Sequence, residues 1–500
     1  MMALQNPRGS KALGSAAAFA AALCLAGCTV GPNYKRPSVE VPTAYKEPPP
    51  SGWKDAVPHD EISKGNWWEA FSDSELNDLE SHALAGSPTL QAAVARVVQA
   101  RATVRITRAD LFPSVNVDPS VGRERASATG SEAPNTINRP FTNNQITLPL
   151  DVSYEVDLWG RVRRSVESSR AQAQASQADY ENILLTLKSD VAQNYFSLRY
   201  VDVDRGILRN NIELLKKALE LTQVRHSGGV ASGLDVSEAE TLLATTQATY
   251  IGLGVQRAQF EHALAVLVGK PAAEFSIPEK ALVLEPPVIP AGLPSDLLER
   301  RPDVAEAERQ MASANAQIGV ARAAYFPSLN LTGSAGYLSD DLLKLFNASA
   351  AIWSIAASAS QPLYAGGRIT ANYARSRAAY DESVANYRQQ VLVAFQEVED
   401  GLSGLRVLEE QEAQQNKAVQ SSRKTVDIST ARYKEGLANF LEVIDAERDV
   451  LANEQESAQL RELRLLTTVQ FIKALGGGWQ ESKIYSDSRP PAANSRQPAH

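Results

Sequence analysis

An internal repeat limits what this 500-residue chain can fold into more than any other feature of its sequence. The motif Phe112-Pro113-Ser114 recurs as Phe326-Pro327-Ser328, and Gly160-Arg161 recurs as Gly367-Arg368. From Gly160 onward the two copies stay 207 residues apart without a gap, over about 110 residues in all. Such a constant offset predicts two copies of one supersecondary unit.

Strand-like segments follow the Phe-Pro motif in each copy. Residues 146–158 alternate polar side chains with an apolar set that consists of Ile146, Leu148, Leu150, Val152, Tyr154, Val156 and Leu158. Residues 328–337 and 353–363 alternate less regularly. A period of two predicts β-strands with one apolar face, and about ten residues suffice for a tilted strand to cross a bilayer. Pro149 predicts a bulge, because proline cannot donate to a strand ladder.

Two long helices follow the strands in each copy. Residues 161–226 carry apolar side chains at alternating spacings of three and four, the pattern of a coiled-coil seam: Leu184, Leu187, Val191, Leu198, Val201, Leu208, Ile212, Leu215 and Leu219. With no internal proline, this helix could extend about 100 Å. A glycine turn precedes a second helix at about 234–267. The second copy turns at Glu435-Gly436, but its seam contains Glu412 and Gln415.

The first 28 residues have the features of a lipoprotein signal. Arg8 and Lys11 precede an apolar run that ends in Leu25-Ala26-Gly27-Cys28. A charged start, a short apolar segment and small residues before a cysteine are typical of a bacterial lipobox. We predict cleavage before Cys28 and attachment of a lipid to Cys28, which would anchor the mature chain to a membrane. An ordinary signal peptide with an incidental cysteine is the alternative.

These features divide the chain into six segments. We predict a signal peptide at 1–27, a lipidated N-terminal tether at 28–60, a first repeat at 61–269, an irregular linker at 270–300, a second repeat at 301–476 and a polar tail at 477–500. Strands are expected at about 114–158 and 328–363, and long helices at about 161–267 and 368–474. A shorter helix opens each repeat, at Pro88 and at Pro302, because proline is favoured at the first helical position.

The chemistry of the chain argues against an enzyme or a nucleic-acid binder. The formal net charge is -8 with both signs mixed, so there is no basic stripe. None of the five histidines (His59, His82, His226, His262 and His500) forms a close pair with metal-ligand spacing, and no phosphate-binding loop occurs. We therefore expect no cofactor other than the covalent lipid on Cys28, and a partner protein must supply energy for any transport.

Four membrane strands per chain cannot close a barrel by themselves. Open strand edges are not tolerated in lipid, so several chains must share one barrel, with twelve strands from three chains or sixteen from four. The predicted fold is a mixed membrane β-barrel plus α-helical barrel. Each chain would contribute four transmembrane strands and long coiled-coil-like helices in two tandem structural repeats. A hollow tube with a polar lumen is a conduit.

Three further segments resemble those of a known family. Cys28-Thr29-Val30-Gly31-Pro32, Trp67-Trp68 and Leu293–Val304 are similar to segments of the TolC/OprM/NodT family, the outer-membrane factor lipoproteins of tripartite efflux systems. The resemblance extends over essentially the whole mature chain. It implies a homotrimer with a twelve-strand barrel and a periplasmic tunnel, lipid-anchored in the outer membrane and extending into the periplasm. It also implies a periplasmic adaptor (membrane fusion) protein and an inner-membrane resistance-nodulation-division transporter as partners, and a passive exit duct for drugs or other small molecules.

The resemblance places a periplasmic gate at the start of the last long helix. The matching residues are Leu441, Asp445 and Arg448, with Glu442 as an additional acid. Spacings of four and three put Leu441, Asp445 and Arg448 on one helix face. Around a threefold axis, Asp445 would form a ring of like charges that can bind cations, pair with Arg448 and gate a pore. Without the resemblance, a solvated helix face is the simpler interpretation.

The same resemblance implies that the periplasmic adaptor docks at the two helical turns, which we call the tips. The first tip consists of Gly229, Val230, Ala231 and Ser232, and the second of Gly436, Leu437, Ala438 and Asn439. Small residues there would let a partner approach the backbone closely. By themselves, the glycines predict only that two helices end at these places.

Two other functions remain open from the sequence. A periplasmic structural lipoprotein with coiled-coil arms would have no pore, and the alternation at 146–158 argues against it. An outer-membrane channel of a type I secretion system, exporting polypeptides, would share the whole plan. The lipobox and Gly31-Pro32 favour the efflux branch by resemblance alone.

Overall fold

The chain divides into two units, each described here by itself. The computed structural model describes residues 29–39, 41–48, 66–127, 140–281, 285–287 and 301–477. The described parts of Met1–Pro37, Val98–Ala175 and Ala307–Tyr387 form the first, which we call the sheet unit. Those of Ser38–Val97, Ser176–Glu306 and Arg388–His500 form the second, the helical unit. The lipidation site predicted at Cys28 lies outside the described residues.

Five antiparallel strands form the sheet of the sheet unit. They are β1 (Ser114–Val117), β2 (Ser120–Ala126), β3 (Phe141–Val156), β4 (Ser328–Ser339) and β5 (Ala351–Ser360). β3 pairs with β4, β4 also pairs with β5, and β1 and β2 both pair with β3. The sequence predicted four strands. The structure has five because the first strand of the first repeat is interrupted.

Two prolines account for the interruption. β1 and β2 follow one register along β3, since Val117 lies opposite Leu150 and Ser120 lies opposite Thr147. Between these two pairs, Asp118 and Pro119 form no ladder with Leu148 and Pro149 of β3. Each of these two-residue segments contains a proline, which has no N–H to donate. The prediction of a bulge at Pro149 is wrong, because β3 and β4 keep a continuous register there.

The apolar side chains of the sheet share one face. The ladders align Val117 with Leu150, Leu150 with Ala335, and Ala335 with Trp353, so alternate residues of every strand lie on the same side. All ten residues of β5 are exposed, including Trp353 and Ile355. Within the described chain this face is therefore largely uncovered.

Seven α-helices are present in the described residues. They are α1 (Ser74–Gly86), α2 (Pro88–Ala109), α3 (Arg161–Ser227), α4 (Gly233–Leu267), α5 (Pro302–Ala323), α6 (Arg368–Lys434) and α7 (Phe440–Ala474). α3 and α6 have 67 residues each and α4 and α7 have 35 each, as expected for a repeat without gaps. Within the described ranges, no helix is both long and apolar enough to span a membrane.

The core of the helical unit is built around the Trp67-Trp68 motif. Both indoles are buried, together with Phe71, whose ring centre lies 4.8 Å from that of Phe196 in α3. Asp73 caps α1 and also accepts a hydrogen bond from the Tyr195 hydroxyl at 2.8 Å. The motif therefore fastens the start of the first repeat to the long helix that follows it.

Charged residues fill the seam of the second helical pair. Glu412 of α6 is buried and forms ion pairs with Arg461, at 3.2 Å, and with Arg464 of α7. Gln415 donates to the backbone carbonyl of Asn453 at 3.1 Å. The two polar residues that weakened the predicted seam are thus paired across it, and pairing offsets the cost of burying a charge.

The described part of the predicted tether has neither helix nor strand and is hydrogen-bonded to the helices and to Trp159, just before α3. In the sheet unit, the Val30 N–H donates to the Trp159 carbonyl at 3.0 Å, and Arg164 donates to Asn33 Oδ1 at 2.8 Å. In the helical unit, the carboxylate of Glu399 accepts from the backbone N–H groups of residues 46 and 47, at 2.7 and 3.0 Å. Backbone donors outside regular structure are satisfied in this way.

Candidate gate and docking tips

The first tip joins α3 to α4 in the helical unit. α3 ends in a Schellman motif, in which the Val230 N–H donates to the Arg225 carbonyl at 2.8 Å. Gly229 has φ +73°, a conformation that glycine adopts without strain. α4 begins with a capping box, because Ser232 and Asp235 each accept from the backbone N–H of the other. The predicted docking residues 229–232 therefore form a turn of well-defined geometry.

The second tip has the same construction between α6 and α7. The Leu437 N–H donates to the Arg432 carbonyl at 2.8 Å, and Gly436 has φ +74°. Asn439 caps α7 by accepting from the Glu442 N–H at 3.0 Å. The repeat thus holds at the level of individual backbone hydrogen bonds.

An aliphatic side chain projects from each tip at the equivalent position. Val230 is 68 % exposed and Leu437 is 66 % exposed. Leu234, in the first turn of α4, is also exposed. Each tip therefore presents exposed apolar area beside a short glycine turn.

A small apolar cluster packs the two tips together. Its buried members are Leu215, Ala239, Leu242, Tyr433, Phe440, Val443 and Ile444. The guanidinium of Arg225 lies 4.5 Å from the centre of the Tyr433 ring and donates to the Tyr433 carbonyl at 3.3 Å. A cation is favourable at this place, because the carbonyls of the last turn of α6 have no partners within their own helix.

The four predicted gate residues lie together on the first turns of α7. Leu441, Glu442, Asp445 and Arg448 are all exposed. The residues between them that face the tip cluster, Val443, Ile444 and Ala446, are buried. The gate residues therefore occupy the face of α7 that points away from the packing within this chain.

The ion pairs of the gate residues are weak. Asp445 and Arg448 are 3.8 Å apart and both more than half exposed. Exposed pairs of this kind contribute about 0–1 kcal/mol, so either side chain can readily take another partner. Glu442 pairs with Arg432 at 3.3 Å.

Arg432 and Glu447 are residues at this site that the sequence analysis did not assign. Arg432 is the repeat equivalent of Arg225, so the internal alignment contained a signal for it. Glu447 is half-buried, and burial, followed by the nearby charge of Glu454, raises the pKa of its carboxyl. Glu454 lies two turns further along the same helix face, so this neighbour follows from the spacing, whereas the burial of Glu447 does not.

The residues that follow Cys28 lie at the junction of β3 and α3. Gly160, with φ +79°, approaches Thr29 so closely that an added Cβ would lie 2.7 Å from the Thr29 methyl group. The hydrogen bond from the Val30 N–H to the Trp159 carbonyl attaches the N-terminal residues to the same junction. Thr29 and Val30, the first described residues, therefore lie beside the end of a sheet strand.

No group of three or more His, Cys, Asp or Glu side chains in the described part of the chain is placed to hold a metal ion. The His226 ring instead contacts the Ala231 carbonyl, with its Nδ1 at 2.9 Å. That contact joins the last turn of α3 to the first tip.

The family model described as outer membrane efflux protein matches residues 79–270 and 293–477, which span both copies of the repeat. The chain belongs to this family. The resemblance predicted from the sequence is thereby confirmed. The efflux protein is an outer-membrane transport component and not an enzyme, since its relatives are efflux proteins and its structural neighbours are outer-membrane channels.

Individual relatives of this efflux protein cover nearly all of its length. The cation efflux system protein CusC of Escherichia coli O6:H1 is 31% identical over 467 residues, 93% of this chain and 98% of the relative. The probable efflux pump outer membrane protein TtgC of Pseudomonas putida is 34% identical over 468 residues, 92% and 94% of the two chains. The Campylobacter jejuni CmeC outer membrane channel aligns with a TM-score of 0.83 at 25% identity, covering 91% of this chain and 96% of CmeC.

Proposed function

We propose that this efflux protein is the outer-membrane exit duct of a tripartite pump and passively conducts drugs or other small molecules to the outside. Its membership in the outer membrane efflux protein family carries the proposal. The names of CusC and TtgC refer to a cation efflux system and to an efflux pump, respectively. The sequence has no phosphate-binding loop, so the energy would come from an inner-membrane resistance-nodulation-division transporter, linked through a periplasmic adaptor.

The duct would consist of three copies of the chain. The open edges of the sheet support this assembly, because a membrane barrel needs every strand edge to be paired. Each chain supplies two helical pairs of matching length, so six similar pairs would surround the axis of a periplasmic tunnel.

The gate of the duct would be a ring formed by Leu441, Asp445 and Arg448, with Glu442 beside it. Their exposure on the outer face of α7, next to the second tip, supports this role. Three copies of Asp445 would repel one another unless each were paired with a cation or with Arg448. The weakness of the Asp445–Arg448 pair within one chain leaves both groups available for contacts between chains.

The tips would receive the periplasmic adaptor. The aliphatic side chains of Val230 and Leu437 offer apolar area, and the turns of Gly229, Ala231 and Ser232 and of Gly436, Ala438 and Asn439 leave the backbone accessible. Surfaces of this kind suit another protein better than a small solute.

A lipid on Cys28 would fix the mature N-terminus at the membrane. The position of Thr29 beside the end of β3 and the start of α3 supports this, since the strands are the membrane-type segments. Intact mass spectrometry provides the check: the Cys28→Ser variant should lack the acyl mass of the wild-type protein, and equal lipid content would contradict the assignment.

Single-channel recording in planar bilayers tests the duct and the gate together. The purified wild-type protein should conduct ions, and a protein without conductance would be a structural lipoprotein rather than a duct.

The Asp445→Ala variant should show higher conductance, because it removes a charged ring from the constriction. Glu238 occupies the equivalent position in α4, and Glu238→Ala is the matched control, with wild-type conductance expected. Unaltered conductance in Asp445→Ala would show that Asp445 does not line the constriction.

A further inference from the structure

The loop between β4 and β5, residues 340–350, exposes three large apolar side chains. Leu342 is 65 % exposed, Leu343 92 % and Phe346 70 %. β4 follows α5 and β5 precedes α6, so the loop lies at the end of this hairpin that is away from both helices. Neither the proposed gate nor the tips involve these residues.

The loop folds over the apolar face of the sheet. The Phe346 ring packs edge-on against the Tyr337 ring, and the two ring centres are 5.4 Å apart. Tyr337 lies opposite Leu148, so it belongs to the face that carries the alternating apolar residues of β3. A loop that closed the mouth of a barrel would fold over the opposite, polar face instead.

A second contact places the loop on the same face. Leu342 lines a surface groove together with Val121 and Ile146, which lie opposite each other in the ladder of β2 and β3. Arg123 and Asn144 are the next pair on this face, and they line the same groove. The groove therefore lies where the apolar side chains of the face give way to polar ones.

The apolar face has the height of the hydrocarbon layer of a membrane. Its β3 residues extend from Ile146 to Val156, which is about 33 Å along a strand. A strand tilt of about 40° reduces this length to a height of about 25 Å, that of the apolar band of outer-membrane barrels. The groove beside Leu342 thus lies at one boundary of the band, and α3 begins just beyond the other.

We propose that the β4–β5 loop anchors the barrel in the outer leaflet of the membrane, with Leu342, Leu343 and Phe346 immersed at the boundary of the acyl chains. Aromatic side chains occupy this level in membrane barrels. The inference rests on the proposed duct in two ways. Only a barrel wall turns the apolar face to lipid, and helices that lead to the periplasm place the loop at the outer leaflet.

The charges beside these apolar residues suit the phosphate groups of the lipids. Lys344 is exposed, and its ion pair with Asp341, at 3.6 Å, is solvated and easily exchanged. Lys344 and Arg123 can therefore approach anionic headgroups. Asp340 and Asp341 also line the groove, so apolar contact and not net charge drives the insertion.

Spin labels on single cysteines measure the immersion of the loop. The Leu343→Cys variant, labelled with a nitroxide, is reconstituted into liposomes of phosphatidylethanolamine and phosphatidylglycerol. The accessibility of the label to oxygen, which concentrates in lipid, is compared with its accessibility to a water-soluble nickel complex. Ile355→Cys, on the apolar face of β5, is the control for lipid, and Ser354→Cys, on the polar face, is the control for the lumen. The wild-type protein, treated in the same way, accounts for any label on Cys28.

The label at Leu343 should favour oxygen over the nickel complex several-fold more than the label at Ser354 does. Phe346→Ala, which removes the contact with Tyr337, should reduce this preference. Asn347→Ala, at the adjacent exposed residue, is the matched control and should leave the preference unchanged.

The controls separate failure of the anchor from failure of the duct. A Leu343 label as accessible to the nickel complex as the Ser354 label, with the contrast between Ile355 and Ser354 preserved, would overturn the anchor and leave the barrel intact. A several-fold change of conductance in Leu343→Asp would place the loop at the mouth of the pore and would equally overturn the anchor. Loss of the contrast between the two control sites would refute the membrane barrel, and the anchor with it.

Discussion

At the residue scale, Glu80 has an unusual environment for a carboxyl group. It is fully buried in α1, and neither of its carboxyl oxygens has a hydrogen-bond partner among the described residues. Burial raises the pKa of the Glu80 carboxyl to about 9, although the charge of Lys188 lowers it. The Lys188 ammonium lies 4.8 Å from the centre of the Trp68 ring. Near neutral pH, Glu80 is therefore a neutral acid beside the core.

This environment predicts a dependence of stability on pH. The ordinary pKa of the group, 4.5, applies in the unfolded chain, so between about 4.5 and 9 the unfolded chain releases a proton that the folded chain keeps. The contribution of Glu80 to the free energy of unfolding therefore falls as the pH rises through this window. Glu80→Gln should raise the apparent melting temperature at pH 8 and have little effect at pH 4.5. Asp78→Asn, an exposed change in the same helix, is the control. An equal effect of Glu80→Gln at both pH values would contradict a protonated Glu80.

The two copies of the repeat also differ in the partners of equivalent residues. Asp235 accepts from the backbone N–H of its own N-cap residue, whereas its equivalent Glu442 pairs with Arg432. Arg225 instead lies over Tyr433. Substitution of a few side chains has therefore given the second tip an exposed charge pair that the first tip lacks, next to the proposed gate.

At the scale of elements, the contact between β3 and β4 depends on one glycine. Gly336 lies opposite Pro149, and a Cβ at Gly336 would come within 2.2 Å of the Leu148 carbonyl oxygen. Backbone atoms cannot move away as a flexible side chain can. The close approach of the two strands is thus possible only with glycine at this position.

Gly336→Ala should therefore destabilise the sheet. The added methyl group forces the strands apart, and overpacking of this kind costs about 1–3 kcal/mol. The melting temperature of the purified protein in detergent should fall. Gly333→Ala in the same strand is the matched control, because a Cβ there meets no atom within 4 Å. Equal melting temperatures for the two variants would show that the strands relax without cost.

At the scale of the whole molecule, the proposed contacts with other proteins lie at the tips and along the sheet edges. Both tips combine a Schellman turn with an exposed aliphatic side chain, at positions related by the repeat. A partner that recognises one tip would therefore find a similar surface at the other. In a trimer this would provide up to six similar docking positions.

Capture of the adaptor tests the tips. A photo-crosslinking amino acid at Ala231 or at its equivalent Ala438 should link the protein in cells to a periplasmic adaptor, identified by mass spectrometry. These alanines are preferable to Asn439, whose side chain caps α7. The same probe at Asn210, an exposed position within α3, is the control. Adaptor links from Asn210 alone would place the docking surface away from the tips. Capture of an adaptor of a type I secretion system at the tips would show that the duct exports polypeptides.

The sequence by itself determined the features of this protein that depend on neighbouring residues or on self-similarity. The offset of 207 residues predicted two copies of one repeat, and the equivalent helices α3 and α6 have the same length. The alternation at 146–158 predicted most of β3, and the glycine turns predicted the ends of α3 and α6. The segments that resembled outer-membrane factors predicted the family. Periodicity and turn chemistry are local, so they can be recognised without the rest of the chain.

Only the tertiary structure decided which distant residues meet. It paired β1 and β2 with β3 in one register and excluded a bulge at Pro149. It gave Glu412 two arginine partners from α7 and bound the predicted tether to the helices. It also placed Glu442 beside Arg432. Such contacts join residues that are far apart in the chain or on different elements, and their energies depend on burial and distance, which a sequence pattern does not contain.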